Sequence, residues 1–303
     1  MRTELLSLCP NVLEEEPMSN HTTLKIGGPC DFLVMPQSLT ELKNVVSFAK
    51  ENSIRLTILG NGSNVLIDDE GLDGIVVKTT GLKHIKVEGN TITAGCGARL
   101  STLCETALQH GLGGLCELSG VPGTVGGGVY MNAGAYGGEI KDTLTKSLCL
   151  TEDGEEKVLT NEEHEFSYRS SVFHTRPDWI IVESTFTLAP ANREELKEKT
   201  VELLKKRNQA QPLEYPNAGS TFKRPEGYFA GKLIDDCKLR GFSVGDAQVS
   251  EKHCGFVVNK GNATAKDVKE LIAQIRTRVK DAFQVTLEAE IRYYKRGEQN
   301  LHL

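Results

Sequence analysis

Apolar positions recur at three- and four-residue spacing in three stretches and alternate or cluster in short runs elsewhere, so the chain reads as mixed helix and strand. Leu42, Val45, Val46 and Ala49 share one helical face, which Thr40 can cap. Leu100, Leu103, Cys104, Ala107 and Leu108 form a second stripe, stopped by Gly111. Asn192 and Glu195 have capping-box spacing, and the helix they open runs to Gln209 before Pro212. Thr264 and Asp267 cap a fourth helix whose stripe is Val268, Leu271, Ile272, Ile275 and Val279. Strands are expected at 54–59, 65–67, 75–78, 85–88 and 91–94, with Gly89-Asn90 turning between the last two. Asp153-Gly154 joins strands at 148–151 and 157–159, and 179–188 and 255–259 read as further strands. The last strand, 286–294, alternates, with Leu287, Ala289, Ile291 and Tyr293 on one face and Glu288, Glu290 and Arg292 on the other. Residues 1–18 read as a peripheral segment with one short helix. The order of elements is not the β-α-β alternation of a doubly wound sheet.

A chain of 303 residues can hold two or three domains. The net charge of −6, with no concentrated basic run, argues against a nucleic-acid or acidic-membrane partner. The N-terminus carries Glu14, Glu15 and Glu16 and lacks the long apolar core of a signal peptide. No apolar run approaches the roughly 18 residues of a membrane span, and a cytoplasmic protein is expected. The eight cysteines are scattered, without a C-x-x-C pair or a histidine at ligand spacing, which predicts reduced core residues and no structural metal.

Candidate chemistry starts with 120–139, where eight of the nineteen residues from Gly120 to Gly138 are glycine. Ordering so many glycines is costly in entropy, and the interspersed Val, Tyr, Met and Asn do not suit a flexible linker. The segment reads as a loop whose backbone approaches a ligand, with N–H groups suited to an anion. Gly60-Asn-Gly-Ser-Asn64 lies between two expected strands and offers similar donors, though an ordinary hairpin turn fits it equally. It is not the dinucleotide fingerprint, because Val65 takes the third glycine position, and no P-loop motif occurs. The two segments together suit a pyrophosphate held mainly by backbone amides. Ser220 lies beside a small-residue turn with Asn217 and two cations, Lys223 and Arg224, a set for binding an anion or assisting proton transfer, or else a solvated turn. By pattern alone Arg169 reads as a surface charge, Glu288 and Glu290 as a solvated strand face, and His253 as a structural histidine.

Together these blocks resemble one family, the flavin-dependent UDP-N-acetylenolpyruvoylglucosamine reductases of bacterial peptidoglycan synthesis. The likeness runs from Asn20-His-Thr-Thr-Leu-Lys-Ile-Gly-Gly through Ile58-Leu-Gly-Asn-Gly-Ser-Asn-Val-Leu-Ile, Ala94-Gly-Cys-Gly-Ala and 120–139. It continues through Tyr168-Arg-Ser-Ser, Ala218-Gly-Ser-Thr-Phe-Lys-Arg-Pro and Ala247-Gln-Val-Ser-Glu-Lys-His to Leu287-Glu-Ala-Glu-Ile-Arg. The resemblance implies an α+β protein: a vanillyl-alcohol-oxidase (PCMH)-type FAD-binding domain of two subdomains, 19–95 and 96–190, after an N-terminal segment, 1–18, with a C-terminal α/β substrate-binding domain, 191–303.

It implies non-covalent FAD against Gly60, Asn61, Gly62, Ser63 and Asn64, and against Pro122, Gly123, Thr124, Val125, Gly126 and Gly127. It also implies NADPH as hydride donor, sharing one site with the enolpyruvyl ether of UDP-N-acetylglucosamine, which is reduced to UDP-N-acetylmuramate. Arg169 and Glu290 match the residues that stabilise the substrate carboxylate, and Ser220 the proton donor, with Lys223, Asn217 and Arg224 binding substrate. Glu288 is the weaker alternative to Glu290. No nucleic acid, membrane or obligatory protein partner is implied. The stretch from Arg169 to Leu188 lacks the extra loop that covers the uridine diphosphate in some members, which marks the shorter subtype. Cys116, Cys237 and Cys254 depart from the family pattern, and Cys254 could confer thiol sensitivity. Two other readings are a different FAD oxidoreductase of this fold, acting on a sugar or lactone, and a flavin- or nucleotide-binding module without chemistry.

Overall fold

A computed structural model describes residues 1–302. Its helices and sheets divide into two compact units, each assembled from three separate pieces of chain. The first comprises Met1–Leu13, Leu33–Asn61 and Ile75–Arg207; the second comprises Glu14–Phe32, Gly62–Gly74 and Asn208–Leu303.

The centre of the first unit is a five-stranded antiparallel sheet in the order Glu156–Thr160, Leu144–Leu150, Ile180–Thr187, Thr91–Gly95, Ile85–Glu88. Alternation makes these strands: Ile92 and Ala94, and Cys149 with Phe186, turn inward and are buried. The expected turns close its hairpins, with Gly89 at φ +59° and Gly154 at φ +78°. Helix Leu39–Glu51 buries its expected stripe, but its cap is Ser38 instead of Thr40: Ser38 Oγ accepts from the Glu41 N–H at 3.2 Å. Helix Leu100–Gln109 buries Leu100, Leu103, Cys104 and Ala107. The glycine-rich stretch, read as loop, contains a short helix, Val125–Tyr130, packed on the sheet. Thr124 caps it, accepting from the Gly127 N–H at 3.3 Å.

The second unit gathers its core around helix Ala265–Phe283, which opens on the expected capping box of Thr264 and Asp267. The helix packs against a three-stranded sheet, Ser243–Val244, Ala247–Val249 and Val257–Asn259, and against helix Ala230–Asp236. The 286–294 strand is shorter than its alternation suggests. Leu287, Ala289, Ile291 and Tyr293 are all buried as expected, yet the regular strand is Arg292–Lys295, with only a single bridge at Ala289. That strand pairs in parallel with Val65–Ile67 and antiparallel with Glu298–His302, a hairpin partner without an apolar signal in the sequence.

Candidate functional site

In the first unit Gly60 and Asn61, which open one glycine-rich segment, meet the other. Asn61 donates from Nδ2 to the Pro122 carbonyl at 2.6 Å. A side chain at Gly60 would put its Cβ 2.4 Å from Thr124 Oγ1, so the Thr124 side chain lies directly against the Gly60 backbone. Gly126 is as close to its own support, since a Cβ there would lie 2.8 Å from Cys96 Cβ. Pro122 and Gly127 are exposed and Gly123 is half-buried, so the two glycines leave backbone within reach of a group at these loops. That surface fits a pyrophosphate, which bonds well to backbone amides and needs no charged partner.

Arg169 occupies a two-residue turn. Ser167 and Ser170 exchange both backbone hydrogen bonds, at 3.1 and 3.2 Å, and Arg169 takes φ +55°. Its Nη2 donates to the Gly134 carbonyl at 3.0 Å. Gly134 belongs to a second tight hairpin, Gly134–Ala135 with Gly138–Glu139, whose turn residues Tyr136 and Gly137 both have positive φ. The half-buried Arg169 is thus fastened to the end of the glycine-rich segment, where a surface charge was expected from pattern alone.

Three further residues, Asn132, Glu139 and Lys141, support this turn. Asn132, fully buried at φ +40°, donates from Nδ2 to Glu139 Oε2 at 3.2 Å and to the Ser167 carbonyl at 3.1 Å. Burial works against ionisation of Glu139. Hydrogen bonds from Lys141 and Asn132, with the charges of Lys141 and Arg169, outweigh it and hold the carboxyl below its usual range. An Asn amid glycines is a mark of left-handed backbone, and that was the one available clue.

The second unit carries Gly62, Ser63, Asn64, Asn217, Ser220, Lys223, Arg224 and Glu290. The Ser220 segment and the Glu290 segment are hydrogen-bonded in register: Glu290 N–H donates to the Thr221 carbonyl at 2.9 Å, and Lys223 N–H to the Glu288 carbonyl at 2.9 Å. Asn64 Nδ2 donates to the Glu290 carbonyl at 3.2 Å, which ties the polar turn to the same segment. Thr23 N–H donates to the Gly62 carbonyl at 3.0 Å and Thr23 Oγ1 to the Asn217 carbonyl at 2.7 Å. Ser220 is exposed and Glu290 half-buried.

The neighbouring side chains are engaged differently. Asn217 Nδ2 donates to the Pro212 and Tyr215 carbonyls, and Oδ1 accepts from Gly219 N–H, so its amide shapes the turn before Ser220. Lys223 reaches Glu288 at 3.3 Å. Arg224 lies 4.0 Å over the Phe229 ring. His253 accepts from the Gly255 N–H at 3.1 Å, and burial lowers its basicity. Cys254 is buried and burial pushes its thiol up to about 11, which leaves little thiolate for reagents.

Known proteins resemble this chain over most of its length. Residues 30–160 match the FAD binding domain family, and 211–294 match the UDP-N-acetylenolpyruvoylglucosamine reductase C-terminal domain family. The UDP-N-acetylenolpyruvoylglucosamine reductase of Caldanaerobacter subterraneus is 48% identical over 277 residues, 91% of each chain. That of Clostridium botulinum strain Langeland is 46% identical over 290 residues, 96% of this chain and 94% of the relative. The crystal structure of the Thermus caldophilus reductase superposes with a TM-score of 0.80 at 36% identity, covering 92% of this chain and 97% of that one. A berberine bridge enzyme variant, 14% identical, shares the fold alone, with a TM-score of 0.50 over 63% of this chain and 43% of its own. The chain therefore belongs to the UDP-N-acetylenolpyruvoylglucosamine reductase family, FAD-dependent oxidoreductases with a PCMH-type α+β fold.

Proposed function

We propose that the protein reduces the enolpyruvyl ether of UDP-N-acetylglucosamine to UDP-N-acetylmuramate with NADPH as hydride donor, in the cytoplasm. The observation that carries this reading is the in-register pairing that brings the Ser220 and Glu290 segments together, with Asn64 bonded to the Glu290 carbonyl. The eight free cysteines suit a reducing compartment. Residues 19–95 and 96–190 are assigned to FAD and 191–303 to the substrate, with Gly60–Asn64 and Pro122–Gly127 as the flavin-side loops.

Held by those loops, FAD would supply the hydride, drawn from NADPH, to the vinyl carbon of the substrate, which shares the place of NADPH. The chain's own residues handle charge and the proton. Reduction of a vinyl ether draws electron density toward the attached carboxylate, and Arg169 and Glu290 are assigned to that developing charge. A glutamic acid can donate a hydrogen bond there while the guanidinium cancels charge. Ser220 is assigned the proton to the adjacent carbon. An alcohol is a weak acid, so it acts only against a strongly basic enolate, with Lys223 as the neighbouring cation. Arg224 is assigned to the substrate, and Asn217 serves that contact through the turn its amide shapes. The segment after Arg169 lacks a covering loop, in keeping with the shorter subtype.

The purified protein should be yellow and should oxidise NADPH faster with the enolpyruvyl substrate than without it. A colourless protein, or NADPH oxidation indifferent to that substrate, contradicts the assignment. Ser220→Ala should leave flavin reduction by NADPH nearly intact and slow reoxidation by the substrate by about 100-fold or more, the usual scale of a lost general acid. Equal slowing of both half-reactions removes Ser220 from the proton-donor role.

A further inference from the structure

The guanidinium of Arg169 is held in a frame that reaches well beyond its own turn. Glu139 pairs with Gly134 across the tight hairpin, which puts its side chain on the face where Gly134 has none. A Cβ at Gly134 would lie 2.8 Å from Glu139 Cγ, 3.0 Å from the Gly138 carbonyl oxygen and 3.4 Å from Arg169 Nη1. The absent side chain therefore leaves the space that the Glu139 side chain and the Arg169 guanidinium share, near enough for the Arg169 charge to favour the ionised carboxylate. Asn132 fixes both partners at once: one amide nitrogen bonds Glu139 Oε2 and the carbonyl of Ser167, the foot of the turn that carries Arg169. Its Oδ1 accepts from the Lys141 N–H at 3.1 Å, and Lys141 Nζ closes on Glu139 Oε2 at 2.7 Å. An arginine has many rotamers, and a carbonyl and a carboxylate at fixed places select among them before substrate arrives.

We propose that Glu139, oriented by Asn132, is a positioning residue that sets the Arg169 guanidinium against Gly134, and that Gly134 is required for the room it leaves. This rests on the reading of Arg169 as the residue that meets the substrate carboxylate. Neither Glu139 nor Gly134 acts on substrate; both act through Arg169.

A double-mutant cycle on the FAD-loaded enzyme tests it, with the rate at which the enolpyruvyl substrate reoxidises reduced flavin as readout. Glu139→Gln should slow that step about tenfold, the scale of a modest misplacement of a charge-stabilising group. In an Arg169→Ala background the same change should cause almost no further loss, because residues that act through one group are not additive. Should Glu139→Gln fail to fold, Gly134→Ala serves in its place. It keeps the carboxylate, needs no positive φ, and should show the same slowing and the same disappearance of effect. Losses that multiply in the double variant, while Arg169→Ala alone is slow, overturn the positioning role and leave the reading of Arg169 intact. An Arg169→Ala enzyme as fast as the wild type overturns that reading and the positioning role with it.

Discussion

His164 is fully buried with both ring nitrogens engaged, Nδ1 with the Thr160 carbonyl at 2.6 Å and Nε2 with Ser147 Oγ at 3.0 Å. Ser147 in turn meets Ser184 Oγ at 2.8 Å, and the ring stacks on Phe166. A neutral imidazole satisfies this chain, donating from Nδ1 and accepting at Nε2, whereas a protonated one has two donors and would force Ser147 to reverse. Burial accordingly lowers the basicity of His164 below its ordinary 6.5, against the raising influence of the Thr160 carbonyl and Glu163. The sign follows from linkage. The native state binds the proton less readily than the unfolded chain, so the stabilisation is complete above the unfolded value and declines as pH falls below it. Urea unfolding between about pH 7.5 and 5.5, which brackets the unfolded histidine value, should show a steeper loss for the wild type than for His164→Asn. The slope should not vanish, because His253 is shifted the same way by burial. An unchanged slope contradicts the buried-neutral role of His164.

At the scale of elements, helix Val125–Tyr130 is the departure from simple propensity, with Gly126, Gly127 and Gly128 in succession. Each glycine costs a helix about 1 kcal/mol relative to alanine, yet added side chains would meet very different neighbours. At Gly128 a Cβ would touch the mobile ends of Leu100, at 3.0 and 3.2 Å, and of Ile140, at 3.5 Å. At Gly126 it would meet Cys96 Cβ at 2.8 Å and the Cys96 carbonyl oxygen at 3.2 Å, the same oxygen that accepts from Gly126 N–H. Gly128→Ala should stay within about 1 kcal/mol of wild type, as propensity offsets crowding, while Gly126→Ala should lose roughly 2 kcal/mol. Chemical denaturation measures both, and the reverse order refutes the packing account. The same helix shows why some elements were readable and others hidden. Capping boxes such as Thr264 with Asp267, and strands with a clean alternation, declare themselves locally. A helix that exists because glycines permit close contact with Cys96 has no local signal. Arg169 was hidden for a related reason: a two-residue turn at φ +55° has no apolar period, and its carbonyl partner comes from a distant hairpin.

At the scale of the molecule, the second unit takes its core from all three of its chain segments. Leu24 and Ile26 from the first and Leu66 from the second are packed with Leu233, Val257, Leu271, Ile275 and Ile291 of the third, and the first two are at most 3% exposed. Polar contacts follow the same path. Asn259 Nδ2 donates to the Leu24 carbonyl at 3.1 Å, and Asp69 accepts from the Ala265 and Lys266 N–H groups at the start of the long helix. Asp68 bonds both Lys269 and Tyr293, and its carboxyl is held low by those bonds in spite of its burial. Removing three buried aliphatic side chains forfeits on the order of 6 kcal/mol at about 2 kcal/mol each. That is comparable to the whole net stability of a typical domain, about 5–15 kcal/mol. A fragment spanning only 191–303 therefore should not fold cooperatively, although it holds the entire match to the family's C-terminal domain. Far-ultraviolet circular dichroism with urea titration checks this. A sigmoidal transition in the isolated fragment, as steep as that of the full chain, would show the shared core to be dispensable. Within the full chain, Leu66→Ala probes the same coupling through one residue with no exposed surface, and should cost about 2–5 kcal/mol. Because Leu66 lies in the strand that pairs with Arg292–Lys295, and Asn64 just before it bonds the Glu290 carbonyl, that loss should be accompanied by slower turnover. A variant that is destabilised but turns over at the wild-type rate below its melting range would separate the core from the site.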